Sequence, residues 1–552
     1  MTIGQDQHLP VLAIAAGVAA HHGLFRHGEW HLHGPHIIVG HLILASVTAY
    51  YLYCFEDALI HIFGRLVVLA VAYFGGLFSS MTIYRLYFHR LSSFQGPKLA
   101  AVTKLWHVWH VIDSTNFLFQ QKIYEKYGTI VRTVISNQGP NEITLFHPAA
   151  FELLDGFGNE TTRDVWYDIV RPRTSAIFTR DKLEHKEGRK FWAQGLSSKA
   201  MNDYYPRIVS LVKDLSRCIG TFGTNPVDID QVMSWYSWDV MGEVLFGEDF
   251  NLTKSKITHP GIEHRDRALA LAGPLGDAIW IALLGFQLLP PVGRVNDWHR
   301  MMHFCEDHMM SRLDRGDNGR MDMATYFIEE YKNTAATKTK AARDLHLSGT
   351  AVTAVVAGSD TTRAVLIGIW WFLSKFPAHA KKVQAEVDGV NPNDASTLAA
   401  LPHLNGVINE SLRLVPPVMT GGNRITGPNG MLIDNVLIPP GVKVTCPKYV
   451  LHRMESMWVQ PNDFIPERWY SRPELILDKR AFSPFSTGAR YCLGKNMALN
   501  ALRLVVTILL QDYDVAFAPG YDEETIWRDM RDQVTCQPGA VNCVFQPRGL
   551  AK

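Results

Sequence analysis

Residues Phe485–Gly494 read Phe-Ser-Thr-Gly-Ala-Arg-Tyr-Cys-Leu-Gly, and they set a cysteine, Cys492, in a short loop. Gly488 permits backbone conformations that other residues avoid, and Gly494 lets the chain pass close to a flat ligand. The next residues, Lys495 to about Leu510, are largely apolar and predict a helix, so the cysteine precedes a helix N-terminus, which favours a thiolate. A thiolate in such a loop suits haem iron, whereas an isolated cysteine is usually a small buried hydrophobe.

The spacing Phe485-x-x-Gly488-x-Arg490-x-Cys492-x-Gly494 resembles the haem-binding signature of the cytochrome P450 family. Further signatures of that family occur upstream in the expected order, at Ala357–Thr362 (Ala-Gly-Ser-Asp-Thr-Thr), Glu410–Arg413 (Glu-Ser-Leu-Arg) and Pro466–Trp469 (Pro-Glu-Arg-Trp). The resemblance implies a mainly α fold with small β-sheets, arranged as a triangular helical prism. It also implies a haem b cofactor (iron protoporphyrin IX) with Cys492 as the axial ligand of the iron.

Composition excludes several other classes of protein. The 552 residues contain 54 Lys and Arg against 53 Asp and Glu, and we find no basic run with interleaved aromatic residues, so nucleic-acid binding is not expected. The seven cysteines are scattered, without the close pairs of a zinc site or a disulfide framework. This pattern suits a reducing compartment on the catalytic side.

The N-terminal residues 1–93 are the most hydrophobic part of the chain and predict a membrane anchor. Two apolar runs are long enough to span a bilayer, and a third, earlier run needs polar flanking residues to reach that length. The predicted transmembrane helices lie near residues 9–25, 37–55 and 62–83. Residues 94–98 (Phe-Gln-Gly-Pro-Lys) predict a hinge, and residues 99–552 predict the catalytic domain.

Charges around these spans predict their orientation. Arg26 lies in the first connection, Glu56 and Asp57 lie in the second, and Arg85 and Arg90 follow the last span. The positive-inside rule therefore puts the catalytic domain in the cytosol, and the resemblance implies a multi-pass protein of the endoplasmic reticulum membrane. Several histidines lie near the first connection without fixed carboxylate or cysteine partners, which favours interfacial polar residues over a metal site: His21, His22, His27, His31, His33 and His36.

The segment His346–Leu373 predicts a long helix across the haem face opposite Cys492. Gly358 weakens this helix, and the hydroxyls after it can bond to backbone carbonyls and open a notch. By the resemblance, Asp360 and Thr361 are the catalytic pair that delivers protons during oxygen activation.

Three arginines are implied to bind the haem propionates. Arg189 shares a helix face with His185, and the resemblance assigns a propionate contact to Arg189, Arg424 and Arg490. Phe485 and Gly494 complete the cofactor-binding set.

A further set of residues is structural. Glu410 and Arg413 lie three residues apart, and by the resemblance they join Arg468 in a buried ionic triad that holds the haem-side scaffold.

Variable segments are expected to form the substrate pocket, near residues 165–179, 278–289 and 418–421. The apolar segment 278–289 predicts either core packing or a lid over a hydrophobic substrate, in contact with the membrane surface. Residues 129–133 and 141–146 predict a strand pair, and the connection 134–139 is either a surface hairpin or an error in the gene sequence.

The resemblance implies a monooxygenase that inserts one atom of O2 into a hydrophobic small molecule, as in fungal members of secondary-metabolite (terpenoid, alkaloid or polyketide) pathways. Electrons would come from NADPH through a separate flavin-containing reductase, docked near Lys479, Arg480 and Lys495. Two alternatives are a thiolate-haem isomerase or dehydratase and a non-catalytic haem sensor. Neither alternative needs the Asp360–Thr361 pair.

Overall fold

A computed structural model describes residues 8–54, 58–133, 141–276, 278–316 and 319–549. Most of these residues are helical, and the strands form small sheets, so the predicted mainly α fold with small β-sheets is confirmed. The predicted connection 134–139 lies outside the described residues, as do Glu56 and Asp57 of the second N-terminal connection.

The N-terminal region contains three apolar helices, α1 (Leu9–Ala20), α2 (Gly34–Tyr53) and α3 (Leu59–Ile83). One π-helical segment, His21–Phe25, extends α1, and another, Tyr84–Phe88, extends α3. By length and composition α2 and the extended α3 are able to cross a membrane, whereas the extended α1 is a shorter apolar helix. These helices lie where the spans were predicted, and their insertion into a bilayer stays a prediction.

Small residues bring α1 and α3 into close contact. A Cβ atom on Gly17 would overlap the Tyr73 carbonyl oxygen, and a Cβ atom on Gly76 would overlap the Ile14 carbonyl oxygen. Membrane helices use glycines at such crossings because the backbones can then approach closely. The two helices therefore pack as a pair.

The remaining helices belong to the catalytic domain. They are α4 (Lys104–His110), α5 (Asn116–Tyr127), α6 (Ala150–Asp155), α7 (Lys182–Gly195), α8 (Ser198–Gly220), α9 (Ile229–Met241), α10 (Leu252–Ser255), α11 (Pro260–Leu275), α12 (Ile279–Leu288), α13 (Gly293–Arg315), α14 (Met323–Asn333), α15 (Lys340–Val355), α16 (Thr361–Lys375), α17 (Pro377–Val387), α18 (Ala395–Ala400), α19 (Pro402–Leu414), α20 (Lys448–Leu451), α21 (Lys495–Asp512) and α22 (Thr525–Arg528).

The strands are short and form two sheets and two hairpins. They are β1 (Ile130–Arg132), β2 (Glu142–Leu145), β3 (Thr162–Arg163), β4 (Val227–Asp228), β5 (Arg424–Ile425), β6 (Met431–Ile433), β7 (Val436–Ile438), β8 (Lys443–Thr445), β9 (Tyr513–Phe517), β10 (Arg531–Gln533), β11 (Thr535–Gln537) and β12 (Asn542–Pro547). The largest sheet has the order β1-β2-β8-β5-β3, in which only β2 and β8 run parallel. A second sheet has the order β4-β12-β9, and β6–β7 and β10–β11 are the hairpins. The β1–β2 pair lies within the strand segments that the sequence predicts.

The centre of the domain is one long helical run, in which a π-helical turn, Val356–Asp360, joins α15 to α16. By composition this run is also apolar enough to cross a membrane, but 72% of its most apolar window is buried inside the protein. It is therefore the core helix that the sequence predicts across residues 346–373.

Contacts at the hinge and at the start of α2 join the anchor to the catalytic domain. In the predicted hinge, the Gln95 carbonyl accepts a hydrogen bond of 2.8 Å from the backbone N–H of Arg132, at the end of β1. A Cβ atom on Gly34, the first residue of α2, would lie 2.7 Å from a methyl group of Leu284 in α12. The predicted core packing of residues 278–289 is confirmed for one face of α12, where Ile279, Ala282 and Leu283 are buried, and contact of this segment with the membrane surface stays a prediction.

We expect Gly76→Ala to destabilise the anchor by about 1–3 kcal/mol, because the added methyl group overpacks the α1–α3 crossing. The measurement is the melting temperature of the full chain in detergent micelles, followed by circular dichroism. Gly75→Ala is the matched control, because no atom lies within 4 Å of a Cβ there. Equal melting temperatures for the two variants would show that this crossing does not hold the helices together.

Candidate active site

The cysteine loop is folded tightly against α6. Gly488 has φ +64°, and a Cβ atom there would overlap the Asp155 carbonyl oxygen, so only glycine fits at this position. The backbone N–H of Cys492 donates a hydrogen bond of 2.8 Å to the Phe485 carbonyl and closes the loop. Gly494 follows directly before α21, and a Cβ atom there would meet only the Cys492 sulfur, at 3.8 Å. The space next to this glycine is therefore open.

The Cys492 thiol lies deep in the protein but remains accessible. Burial raises its pKa, while the backbone N–H groups of Gly494 and Lys495 and the charge of Arg189 act in the opposite direction. The effect of burial is larger than that of these groups, so the pKa of Cys492 stays above its ordinary value. A cation bound to the sulfur would favour the thiolate.

Cationic side chains surround this loop in excess over acidic ones. Arg490 has a buried Nη1 atom, and Arg163 a buried Nε atom, without a hydrogen-bond partner among the described residues. Burial lowers the pKa of Arg163 to about 9, and burial together with neighbouring arginines lowers the pKa of His185 to about 3. Asp155 is the acidic partner of Arg424, at 2.7 Å. The cluster therefore has unused donors for an additional anionic ligand.

The predicted propionate ligands do not all occupy the same environment. Arg189, His185 and Arg490 line one cavity of about 270 Å³. Arg189 donates to the Tyr491 carbonyl at 2.8 Å, and its guanidinium lies 4.5 Å from the centre of the Tyr491 ring. Arg424 is buried and also donates to the Tyr167 hydroxyl at 3.1 Å. Arg490 is therefore the predicted ligand with an unsatisfied buried donor.

A second cavity, of about 310 Å³, lies along the π-helical turn, and Ala357 and Thr361 are part of its wall. Most of the other lining side chains are apolar or aromatic, among them Trp166, Ile169, Phe178, Leu269, Trp298, Met301 and Val418. This size and this lining are typical of a site for a hydrophobic small molecule. We call it the substrate cavity.

Two of the three segments predicted for the pocket, 165–179 and 418–421, contribute to the substrate cavity. The prediction for residues 278–289 is wrong, because none of its described residues lines this cavity. The neighbouring helices α11 and α13 supply that wall instead. The apolar surface of α12 is used against the anchor and the core.

The π-helical turn has the local structure that the sequence predicts. The Thr361 hydroxyl donates a hydrogen bond of 2.6 Å to the Ala357 carbonyl, within the wall of the substrate cavity. A Cβ atom on Gly358 would overlap the Met241 sulfur, so this glycine also permits close packing on α9. The helix is thus widened at one position while its other face stays packed.

Asp360, the predicted proton-delivering carboxylate, is not part of the cavity wall. It is 0% exposed and accepts hydrogen bonds from Arg363 at 2.6 Å and Gln537 at 2.8 Å. Although burial raises its pKa, the charges of Arg265 and Arg363 and these hydrogen bonds keep the pKa below its usual value. The Thr535 hydroxyl also donates to Asp360, and Thr535 lines the substrate cavity. A hydrogen bond from Thr535 therefore links Asp360 to the cavity wall.

The structure brings the predicted triad together. Glu410 accepts from Arg413 at 2.7 Å and 3.0 Å, and from Arg468 at 2.9 Å. All three side chains are fully buried. The Trp469 indole donates to the same carboxylate at 2.9 Å. Both arginines also donate to backbone carbonyls, so the triad ties α19 to the segment that follows α20.

Sequence reasoning missed several residues of the site: Asp155, Arg163, Arg265, Arg363 and Thr535. The i, i+3 spacing of Asp360 and Arg363 on a helix indicates an ion pair and was the one local signal. The other four meet the site from distant segments. Their roles depend on the tertiary fold.

The family model described as Cytochrome P450 matches residues 97–544 of this chain. Curated fungal relatives match over nearly their full lengths. The cytochrome P450 monooxygenase phqL of Penicillium fellutanum is 30% identical over 98% of this chain and 95% of the relative. The cytochrome P450 monooxygenase orf5 of Eupenicillium brefeldianum is 34% identical over 86% and 95%. Tryprostatin B 6-hydroxylase of Aspergillus fumigatus is 29% identical over 94% and 92%.

We expect Arg490→Leu to weaken haem retention roughly 10- to 100-fold, because a charge-assisted hydrogen bond is worth about 1.5–3 kcal/mol. The measurement is haem per protein after dialysis. Arg480→Leu is the matched control, because Arg480 is exposed and pairs with Asp478 at the surface. Equal haem retention in the two variants would remove Arg490 from the cofactor site.

Proposed function

The chain belongs to the cytochrome P450 family, and from that membership we propose that it is a membrane-anchored monooxygenase acting on a hydrophobic small molecule of a fungal secondary-metabolite pathway. It is a haem-dependent oxidoreductase by family. The observation that carries the proposal is the loop of Cys492 beside a buried arginine cluster with unused donors. The iron of a haem would bind the Cys492 sulfur, and its two propionates would accept hydrogen bonds from the arginine cluster.

We propose that Cys492 is the axial ligand of the haem iron. Arg189, Arg424 and Arg490 would hold the propionates, with Arg163 adding positive potential. Phe485 and Gly494 would flank the ring. Bound haem supplies the iron that activates O2, and the thiolate increases electron density at that iron.

The substrate cavity supports a hydrophobic substrate. A volume of about 310 Å³ and a largely apolar wall favour a compact terpenoid, alkaloid or polyketide over a charged metabolite. One relative is named as a hydroxylase of tryprostatin B. By analogy the reaction here is a hydroxylation or a related oxidation.

Protons would reach the cavity through hydroxyl groups. Thr361 has its hydroxyl at the cavity wall, and Thr535 has its hydroxyl between the cavity and Asp360. We propose that Thr361 positions the hydrogen-bonded groups that deliver protons at the cavity. Asp360 would remain ionised and accept the hydrogen bond of Thr535 in the same network. Neither the isomerase nor the sensor alternative needs such a network, so its presence favours the monooxygenase.

Electrons would come from NADPH through a separate flavin-containing reductase on the same membrane. Lys479 and Lys495 are exposed close to the cysteine loop, whereas Arg480 forms an ion pair with Asp478 at 2.7 Å. We therefore propose that Lys479 and Lys495, rather than Arg480, contact the reductase. The location would be the endoplasmic reticulum membrane, with α1 to α3 as spans and the catalytic domain in the cytosol.

The test of this function uses the full chain in microsomes with reductase, NADPH and a panel of hydrophobic pathway intermediates. We expect the reduced, CO-treated protein to show the long-wavelength Soret band of thiolate-ligated haem, and a product that gains one oxygen atom from isotopically labelled O2. Cys492→Ala should abolish both signals, whereas Cys54→Ala, a change at an exposed anchor cysteine, should preserve them. A wild-type protein without the band would exclude the proposed function.

We expect Thr361→Ala to lower the product formed per NADPH by about tenfold or more, within the roughly 100-fold that a positioned proton donor contributes. NADPH consumption should continue, with hydrogen peroxide as the alternative product. Thr362→Ala is the matched control, because this neighbouring threonine is outside the cavity wall. Equal coupling in the two variants would exclude the role given to Thr361.

A further inference from the structure

The loop between α1 and α2 contacts the catalytic domain through charged side chains. Arg180 donates two hydrogen bonds of 2.6 Å to the Glu29 carboxylate, one to each oxygen. His31 bonds through Nε2 to Asp168 at 2.8 Å. Arg180 also donates to Asp168 at 3.0 Å, so the two contacts form one network. We call these four residues the anchor lock.

One half of the anchor lock, the His31–Asp168 pair, is buried, whereas the Arg180 and Glu29 side chains are 25% and 32% exposed. His31 and Asp168 are each 2% exposed, and Asp168 also accepts from Arg171 at 2.9 Å. Although burial raises the pKa of Asp168, the His31 hydrogen bond and the two arginine charges keep it below its usual value. A buried network of this kind has fixed geometry because every charge needs its partner.

A metal ion is a less suitable occupant of this site. Ligand atoms of Glu29, His31 and Asp168 lie within 4.8 Å of one another. However, the Arg180 guanidinium already contacts both carboxylates and supplies the positive charge that a metal would supply. The geometry therefore indicates a structural contact between two parts of the chain.

The anchor lock holds one wall of the substrate cavity. Asp168 ends the 3-10 turn Val165–Asp168, and two residues of that turn, Trp166 and Tyr167, line the cavity. The Trp166 ring stacks on Phe178, with centres 5.9 Å apart, and Phe178 is also part of the wall. A shift of Asp168 would therefore move aromatic rings that face the substrate.

We propose that Glu29 and His31 are positioning residues for the substrate cavity, so that a loop of the membrane anchor determines the shape of the wall that the substrate meets. This proposal rests on the proposed function, because the cavity is taken as the substrate site. It assigns the first N-terminal connection a role in ligand specificity as well as in membrane attachment. Neither residue touches the cavity itself.

The experiment compares two probes on the full-length holoenzyme in lipid nanodiscs. Ketoconazole is a bulky azole that would contact the cavity wall, whereas imidazole is small and reports on access to the iron. Both are followed by the spectral shift that a nitrogen ligand causes in the haem. For His31→Ala and Glu29→Gln we expect the Kd of ketoconazole to rise about tenfold and the Kd of imidazole to stay unchanged.

His33→Ala is the matched control, since His33 is an exposed histidine of the same loop, and it should bind both probes like the wild type. An unchanged Kd of ketoconazole in both lock variants would overturn the proposal. Equal losses for ketoconazole and imidazole would also overturn it, because they indicate a damaged haem site rather than a moved wall.

If His31→Ala does not retain haem, His31→Gln takes its place in the experiment, because glutamine keeps a hydrogen-bond donor for Asp168. Recovery of ketoconazole binding in that variant supports the proposal, and failure overturns it. The CO-treated wild type separates this proposal from the proposed function. Absence of the thiolate-haem band excludes the function, whereas a normal band with unaffected lock variants excludes only the positioning role.

Discussion

The excess of buried positive charge around Cys492 is the constraint on which the catalytic domain depends. Arg163, Arg424 and Arg490 approach one another with Asp155 as the acidic partner, and Arg163 and Arg490 each have a buried donor without a partner among the described residues. Like charges in a poorly solvated region repel one another unless an anion balances them. An anionic cofactor bound in this place would stabilise the surrounding fold, because it would supply the charges that the protein side lacks.

The rest of the domain holds this region from two sides. The triad of Glu410, Arg413 and Arg468 fixes the scaffold on one side, with no exposure to solvent. The long helical run is on the other side, and its π-helical turn places a hydroxyl at the cavity wall without interrupting the core. Rigid surroundings and one local irregularity together fix the geometry of the cavity wall that we propose as the substrate site.

Local sequence was sufficient for the elements that depend on short-range pattern. The cysteine loop, the long helix and the triad partners were predicted from short motifs that resemble the signatures of the family, and the apolar runs predicted the three N-terminal helices. Residues that meet from distant segments were not predictable. Thr535 and Arg265 reach Asp360 from β11 and α11, and α12 packs on the anchor instead of lining the cavity. Such partners depend on the tertiary arrangement, which one sequence does not encode locally.

The contact between Gly34 and α12 places the exposed apolar residues Leu288, Leu289 and Val292 beside the base of a predicted span. This edge of the catalytic domain would then rest at the lipid surface, where a lipophilic compound is concentrated by partitioning. For such a compound the relevant concentration is moles per volume of lipid rather than per volume of buffer. The apparent KM would then scale with the amount of lipid in the assay, and comparisons between detergent and vesicles would need the partition coefficient of the compound.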